Sequence, residues 1–369
     1  MKTGYIYQSQ KNSIFTNKMF PGCIYQLIGW VIAANFFIML KSWGIVDTTG
    51  FLVLAKKSLF VVHIEATIMG LCLGFILAYL DQIRLRIFGR KKIFGIVIII
   101  KALAHLACII IMITIVAFIF LLLFGAGLEE AFSRIGRFVT SIYFLTIVIY
   151  GAFVSILFSF IKQVDSKFGP GNLINMLVGK YHQPRVEDRI FLFIDLKDAT
   201  GCAEQLGHIE YSQLLQDCFY DINSMITRYH GEIYQYVGDE IVITWESTYG
   251  LKNFNCIRLY YNFMNRIYER SDYYLSKFGL VPEFKAGMNC GHVTVAEVGI
   301  IKREIAYHGD IINTASRIQH QCNKYGKRLL ISGQLYNRLG ECKDYKIVLT
   351  DHATLKGKKN PVELYSVDE

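Results

Sequence analysis

Hydrophobicity divides this chain into two halves. Before residue 162, four runs are apolar at nearly every position: roughly Gly22 to Leu40, Leu59 to Leu80, Ile93 to Phe124 and Ile142 to Ile161. At about 1.5 Å of rise per residue, each makes a helix long enough to cross about 30 Å of hydrocarbon. The third is longer than one crossing needs and predicts tilt or protrusion. A polar stretch precedes the first run and no small-residue cleavage site follows it, so it reads as a retained span rather than a signal peptide.

Beyond the runs the pattern changes. Residues 162–188 form a polar connector, with a helix-breaking Phe168-Gly169-Pro170-Gly171 and a short amphipathic stretch from Leu173 to Val178. From Arg189 to Glu369, strand and helix periods alternate. Ile190 to Ile194 predicts an apolar strand ending at Asp195, and Ala203 to Tyr229 a helix. Glu232 to Val237 and Ile241 to Trp245 predict a hairpin, and Asn253 to Phe278 a second helix. Glu283 to Asn289 and Val293 to Val298 predict a second hairpin, turning at Cys290-Gly291-His292. Asp310 to Lys324 predicts a third long helix; Arg328 to Ile331, Tyr345 to Leu349 and Pro361 to Val367 predict late strands. The expectation is an all-α four-helix transmembrane domain at 1–161, the connector, and an α+β domain at 189–369. Helices would segregate on one face of a largely antiparallel sheet.

Composition supports a membrane protein: 53% of residues are hydrophobic and 19% charged, with the apolar excess in the first half. The net charge of +9 does not form a stripe suited to nucleic acid; basic residues cluster beside the apolar runs. Arg84, Arg86, Arg90, Lys91 and Lys92 follow the second run, and Lys2, Lys11 and Lys18 precede the first. Lys41, Lys56 and Lys57 weaken that bias without reversing it. The positive-inside tendency puts both termini in the cytoplasm of a multi-pass protein of the cell (inner) membrane. Inside the runs, His63, Glu65, Lys101 and His105 are costly in hydrocarbon. They predict either a structural polar cluster, with Glu65 and His105 at similar depths, or a sensor site. Nine cysteines show neither Cys-x-x-Cys nor zinc spacing, which fits a reduced compartment for the second half.

The candidate chemistry lies in two aspartates. Asp195 ends a strand and Asp239 sits in a hairpin turn, so both can face one cleft and bind oxygen-seeking divalent cations completed by phosphate oxygens. The motifs then resemble the class III nucleotidyl cyclases. Phe193-Ile194-Asp195-Leu196 and Val237-Gly238-Asp239 are similar to that family's two metal-binding segments. His308-Gly309-Asp310-Ile311-Ile312-Asn313-Thr314-Ala315-Ser316-Arg317 is similar to its nucleotide-contacting helix. Leu355-Lys356-Gly357-Lys358 resembles the segment whose lysine lies near the triphosphate, and Phe284-Lys285-Ala286-Gly287-Met288-Asn289-Cys290-Gly291 its central strand and turn.

The resemblance implies a ferredoxin-like catalytic domain: an antiparallel sheet with helices. It implies two Mg²⁺ or Mn²⁺ ions per site on Asp195 and Asp239, with Asn313 orienting the ribose. Arg317 and Lys356 would stabilise charge on the phosphates. ATP would be converted to 3′,5′-cyclic AMP and pyrophosphate, in a homodimer with sites at the subunit interface. The two positions expected to read the base are Gln235 and Ala306, and neither holds the residue usual in adenylyl or guanylyl cyclases. A guanylate or mixed-specificity cyclase is therefore an alternative, as is an inactive cyclase-like receptor or dimerisation module. Val237-Gly238-Asp239-Glu240-Ile241 only loosely resembles a diguanylate cyclase signature, and four spans with no evident polar pathway make a poor transporter.

Overall fold

The computed structural model describes residues 24–43, 58–87, 94–123, 127–169, 172–340 and 344–369. The chain divides into two compact units, Met1–Pro170 and Gly171–Glu369.

In the first unit, helices α1 (Ile24–Ser42), α2 (Leu59–Ile87), α3 (Phe94–Leu123) and α5 (Ile142–Phe168) are each long and apolar enough to cross a membrane. α3 carries Ile99, Leu103 and Ile111 on its exposed surface, an arrangement suited to lipid rather than water. The segment between the third and fourth runs is not simply a loop. It contains α4 (Leu128–Val139), with Glu129 and Glu130 in the first turn and Arg137 in the last. Acid at the N-terminal end and base at the C-terminal end complement the helix dipole.

α1 packs on α2 through glycines. A Cβ at Gly70 or Gly74 would come within 2.7 Å of the Val31 Cα or 2.9 Å of the Leu27 Cα. Small residues permit this close approach. His63 meets Asn35 of α1, Nδ1 to Oδ1 at 2.8 Å, and Asn35 donates to Thr67 at 3.0 Å. His105 is buried and Glu65 lies on the exposed side of α2. Arg84 and Arg86 fall in the last turns of α2. Gly22, Lys2, Lys11, Lys18, Lys56, Lys57, Arg90, Lys91 and Lys92 lie outside the described residues.

The second unit begins with α6 (Asn172–Leu177) and continues β1 (Arg185–Leu196), α7 (Ala199–Ile226), β2 (Glu232–Val237), β3 (Glu240–Glu246) and α8 (Ser247–Leu251). Next come α9 (Asn255–Glu269), α10 (Ser271–Phe278), β4 (Phe284–Val298), β5 (Glu304–His308) and α11 (Asp310–Tyr325). The unit ends with β6 (Leu329–Ser332), α12 (Gly333–Leu339), β7 (Lys346–Ala353) and β8 (Val362–Asp368). The sheet order is β2-β3-β1-β4-β6-β8-β7, with β5 added along β4. All pairs are antiparallel except β4 with β6.

Four expectations need correction. β4 is one strand of 15 residues, not a hairpin. Gly291 reads in the sequence as a turn signal, yet it lies inside the strand. A Cβ there would sit 3.0 Å from Ile311 and 3.1 Å from Gln334, so the glycine serves close packing by α11 and α12. The second helix breaks at Arg270, whose guanidinium turns back to the buried Asp221 of α7. Helices also cover both faces of the sheet. Ile190, Leu192, Ile194 and Leu196 of β1 join the core with α7 and α9, whereas Phe191 and Phe193 pack with Ala315 of α11 on the opposite face. β1 moreover takes in Arg185 to Asp188, which the polar pattern left in the connector.

Candidate active site

Successive residues of a strand point to opposite faces, so Arg189, Phe191, Phe193 and Asp195 share the face that α11 covers. Register then builds a row across three strands: Lys285 of β4, Asp195 of β1 and Glu240 of β3 are directly opposed. Asp239 adjoins the row from the two-residue turn between β2 and β3, where Gly238 holds φ +61. That conformation favours glycine and lets the turn reverse directly.

The row concentrates negative charge. Burial, then the hydrogen bond and charge of Asp195, push the Asp239 carboxyl up to about 6. Burial followed by the charges of Asp195 and Asp239 pushes Glu240 up to about 7. Tyr211 of α7 is close enough to feel the same field: burial first, then Asp239, raises its hydroxyl to about 12. Against this charge stand two donors, both on one oxygen of Asp195. Lys285 Nζ lies 3.2 Å from Oδ2, and Gln319 of α11 donates Nε2 to Oδ2 at 2.8 Å. Neither contact uses Oδ1.

Among the described residues, no group of three or more His, Cys, Asp or Glu is arranged to hold a metal ion. The Asp195–Asp239 pair alone suits a hard cation whose remaining ligands are phosphate oxygens and water. Mg²⁺ or Mn²⁺ fits the site: the ligands are oxygens, and crowded carboxyls that hold protons too tightly are relieved when a divalent charge replaces the proton.

The remaining sequence-selected residues form a second group. Asn313 is exposed on α11, and Arg317 half-buried one turn later. Arg317 lies against the turn that carries Lys356. A Cβ on Gly357, at φ +77, would be 3.5 Å from both of its terminal nitrogens. Buried Leu355 anchors that turn to Ile318 and Cys322 of α11, which leaves Lys356 exposed. Lys358 pairs with Asp310. Gln235 is exposed on β2 just past a bulge at Tyr234, and pairs with Val242. Ala306 lies on β5 opposite Ala296.

The structure thus brings Asp195 to Asp239, and Arg317 to the Lys356 turn. Among the described residues no hydrogen bond or ion pair joins the two groups. Helix geometry gives the reason. At about 100° per residue, Arg317 and Gln319 diverge by about 200°, as do Asn313 and Ala315. The helix face that touches Asp195 therefore points away from the face bearing Asn313 and Arg317. Sequence reading passed over Lys285, Glu240 and Gln319. Register supplies the first two; for Gln319 the only signal is its i+4 spacing from the inward-facing Ala315.

Comparison with known proteins agrees with this geometry. The model of the adenylate and guanylate cyclase catalytic domain matches residues 181–369. Adenylate cyclase 2 of Rhizobium meliloti (strain 1021) is 32% identical over 195 residues, covering 53% of this chain and 54% of that protein. An adenylate cyclase of Anabaena cylindrica is 25% identical over 253 residues, covering 66% of this chain and 50% of the relative. The chain therefore spans about half the length of these curated relatives. A bacterial light-regulated adenylyl cyclase shares the fold at a TM-score of 0.53 and 16% identity, over 62% of this chain and 67% of its own. The match takes in both halves of the site and more than half of the chain, which belongs to the class III nucleotidyl cyclases, the family of adenylate and guanylate cyclase catalytic domains.

Proposed function

We propose that this protein is a membrane-bound adenylate cyclase that closes ATP to 3′,5′-cyclic AMP and releases pyrophosphate. The observation that carries the reading is the Asp195–Asp239 carboxylate pair, crowded enough to hold a proton at the end of a sheet row. The family match and relatives named as adenylate cyclases support the substrate.

Asp195 and Asp239 would hold two divalent ions, Mg²⁺ or Mn²⁺, and these would supply Lewis acidity for the ribose 3′-OH and charge neutralisation for the triphosphate. The 3′ oxygen forms a bond to the α-phosphorus as the bond to the bridging β-phosphate oxygen breaks; pyrophosphate leaves with that electron pair and the hydroxyl proton passes to solvent water. Asn313 orients the ribose. Arg317 offers its planar fork to charge growing on the α-phosphate, and Lys356 adds a point charge. Because Arg317 and Asn313 face away from their own Asp195, they serve the site of a second copy. A homodimer with interfacial sites follows. Gln235 both donates and accepts hydrogen bonds, so it can read adenine, and it also suits guanine. At Ala306 only backbone groups are available for base contact.

The apolar helices embed the first unit in the cell (inner) membrane, with the N-terminus and the cyclase domain cytoplasmic. Residues 162–184, up to the start of β1, pass helix movement to the catalytic domain.

The test is product analysis with the full chain in lipid nanodiscs, supplied with Mg²⁺ or Mn²⁺ and ATP or GTP. Cyclic AMP formed by wild type and lost in both Asp195→Ala and Asp239→Ala supports the reading. No cyclic product from either nucleotide refutes it, and cyclic GMP alone reassigns the base. Mixing Asp195→Ala with Arg317→Ala chains is expected to restore activity in hybrid dimers. Failure to restore it argues against interfacial sites.

A further inference from the structure

Gln319 is fully buried where α11 crosses β4. The crossing is tight: a Cβ on Gly287 would lie 2.2 Å from the Gln319 backbone nitrogen. The side chain therefore springs from a clamped position. Its Nε2 donates to Asp195 Oδ2 at 2.8 Å. Its Oε1 is equally buried and has no partner among the described residues.

That orphaned oxygen is informative. An unsatisfied buried carbonyl is costly, and an apolar side chain of similar length avoids the cost. The bond to Asp195 is the polar interaction this amide gains in return. The amide cannot turn over without facing Oε1 to a carboxylate, so its orientation is fixed by the partner. Lys285 reaches the same Oδ2 at 3.2 Å, but from the end of a flexible stem. The clamped amide is the rigid donor of the two.

We propose that Gln319 is the positioning residue of Asp195. It holds Oδ2 so that the carboxylate cannot rotate, and Oδ1 is presented to the divalent cation. The proposal rests on the reading of Asp195 as a cation ligand. Groups that orient a metal ligand from behind typically change affinity 10–100-fold when removed. Gln319→Met keeps length and burial while deleting both the donor and the orphaned oxygen.

The experiment is Mn²⁺ titration by electron paramagnetic resonance on the full chain in nanodiscs. It uses 3′-deoxy-ATP, which lacks the attacking hydroxyl, and adds thermal melting of each variant. Q319M is expected to bind Mn²⁺ about 10-fold or more weakly, with Tm unchanged or raised. Wild-type affinity in Q319M overturns the inference, as does weakened binding accompanied by a lowered Tm, which assigns the loss to packing. D195A separates the two levels of the argument. If wild type binds Mn²⁺ no better than D195A, the cation-binding reading fails and the inference with it. If binding depends on Asp195 yet is undiminished in Q319M, only the inference fails.

Discussion

The two faces of β1 come from alternate residues of one strand, and they differ in kind. Ile190, Leu192, Ile194 and Leu196 enter an apolar core with α7 and α9. On the opposite face, two aromatic rings stand between an arginine and an aspartate. Arg189 is held by Glu187 at 2.7 Å and Glu232 at 2.8 Å, and Asp195 by Lys285 and Gln319. One face stabilises the fold by burying surface. The other spends part of that stability on keeping charges in fixed places. The same backbone serves both because a strand separates its faces at every residue.

The sharpest way to break this comparison is one substitution on each face. Asp195→Ala is expected to lower cyclase activity about 10³-fold, since a cation ligand supplies several kcal/mol at the transition state. Its Tm should change little, because a crowded carboxylate is gone while Lys285 and the buried Gln319 amide lose their partner. Leu192→Ala should do the reverse, losing about 2–5 kcal/mol of stability to the cavity. Its activity per folded molecule should be retained. Denaturant melts and turnover measured on the same samples decide. An unfolded D195A, or an L192A that melts like wild type, ends the division of labour.

A milder perturbation tests the join between α11 and the sheet. Gly287→Ala places a methyl 2.2 Å from the Gln319 nitrogen, so helix and strand must separate. Overpacking of this kind costs about 1–3 kcal/mol. Because Gln319 moves with the helix, activity should fall as well, unlike in L192A. Retained activity at reduced stability would show that the carboxylate face tolerates displacement of α11.

How much of this was legible in the sequence follows from the same two faces. The run from Ile190 to Ile194 is apolar at every position, which is the pattern of a strand covered on both sides. Reading helices onto one face only missed that signal. The aspartates stood out as a pair: one carboxylate ending a strand is usually a cap or turn residue, but two, each tied to an apolar strand, point to a shared cation. Lys285, Glu240 and Gln319 did not, since their importance comes from register and from a helix crossing that local pattern does not encode. Gly291 was ambiguous for a physical reason. A glycine that permits close approach and one that permits a turn are the same letter. In the membrane half, length and hydropathy located the helices, but the pairing of His63 with Asn35 depends on how α1 packs against α2.

The smallest effect expected is the most specific to the charged face. Asp239 holds its proton to about 6 against an ordinary value of 3.8, and Glu240 to about 7 against 4.5. Both folded values are raised, so between the ordinary and the raised values the folded chain binds more protons than the unfolded one. Stability must then fall as pH rises from about 4 to about 7. Both groups are only partly buried, so solvent screens the effect and the slope is shallow. Urea melts across that window, in buffer stripped of divalent ions, should show it. Asp239→Asn should flatten the lower part of the slope, while Leu192→Ala should shift the whole curve down and leave its slope alone. Added Mg²⁺ should flatten it too, because a cation that replaces the shared proton removes the reason for holding it. A D239N slope identical to wild type would mean that the charge on this face costs the fold nothing, and the contrast between the two faces of β1 would then be one of composition without an energetic difference.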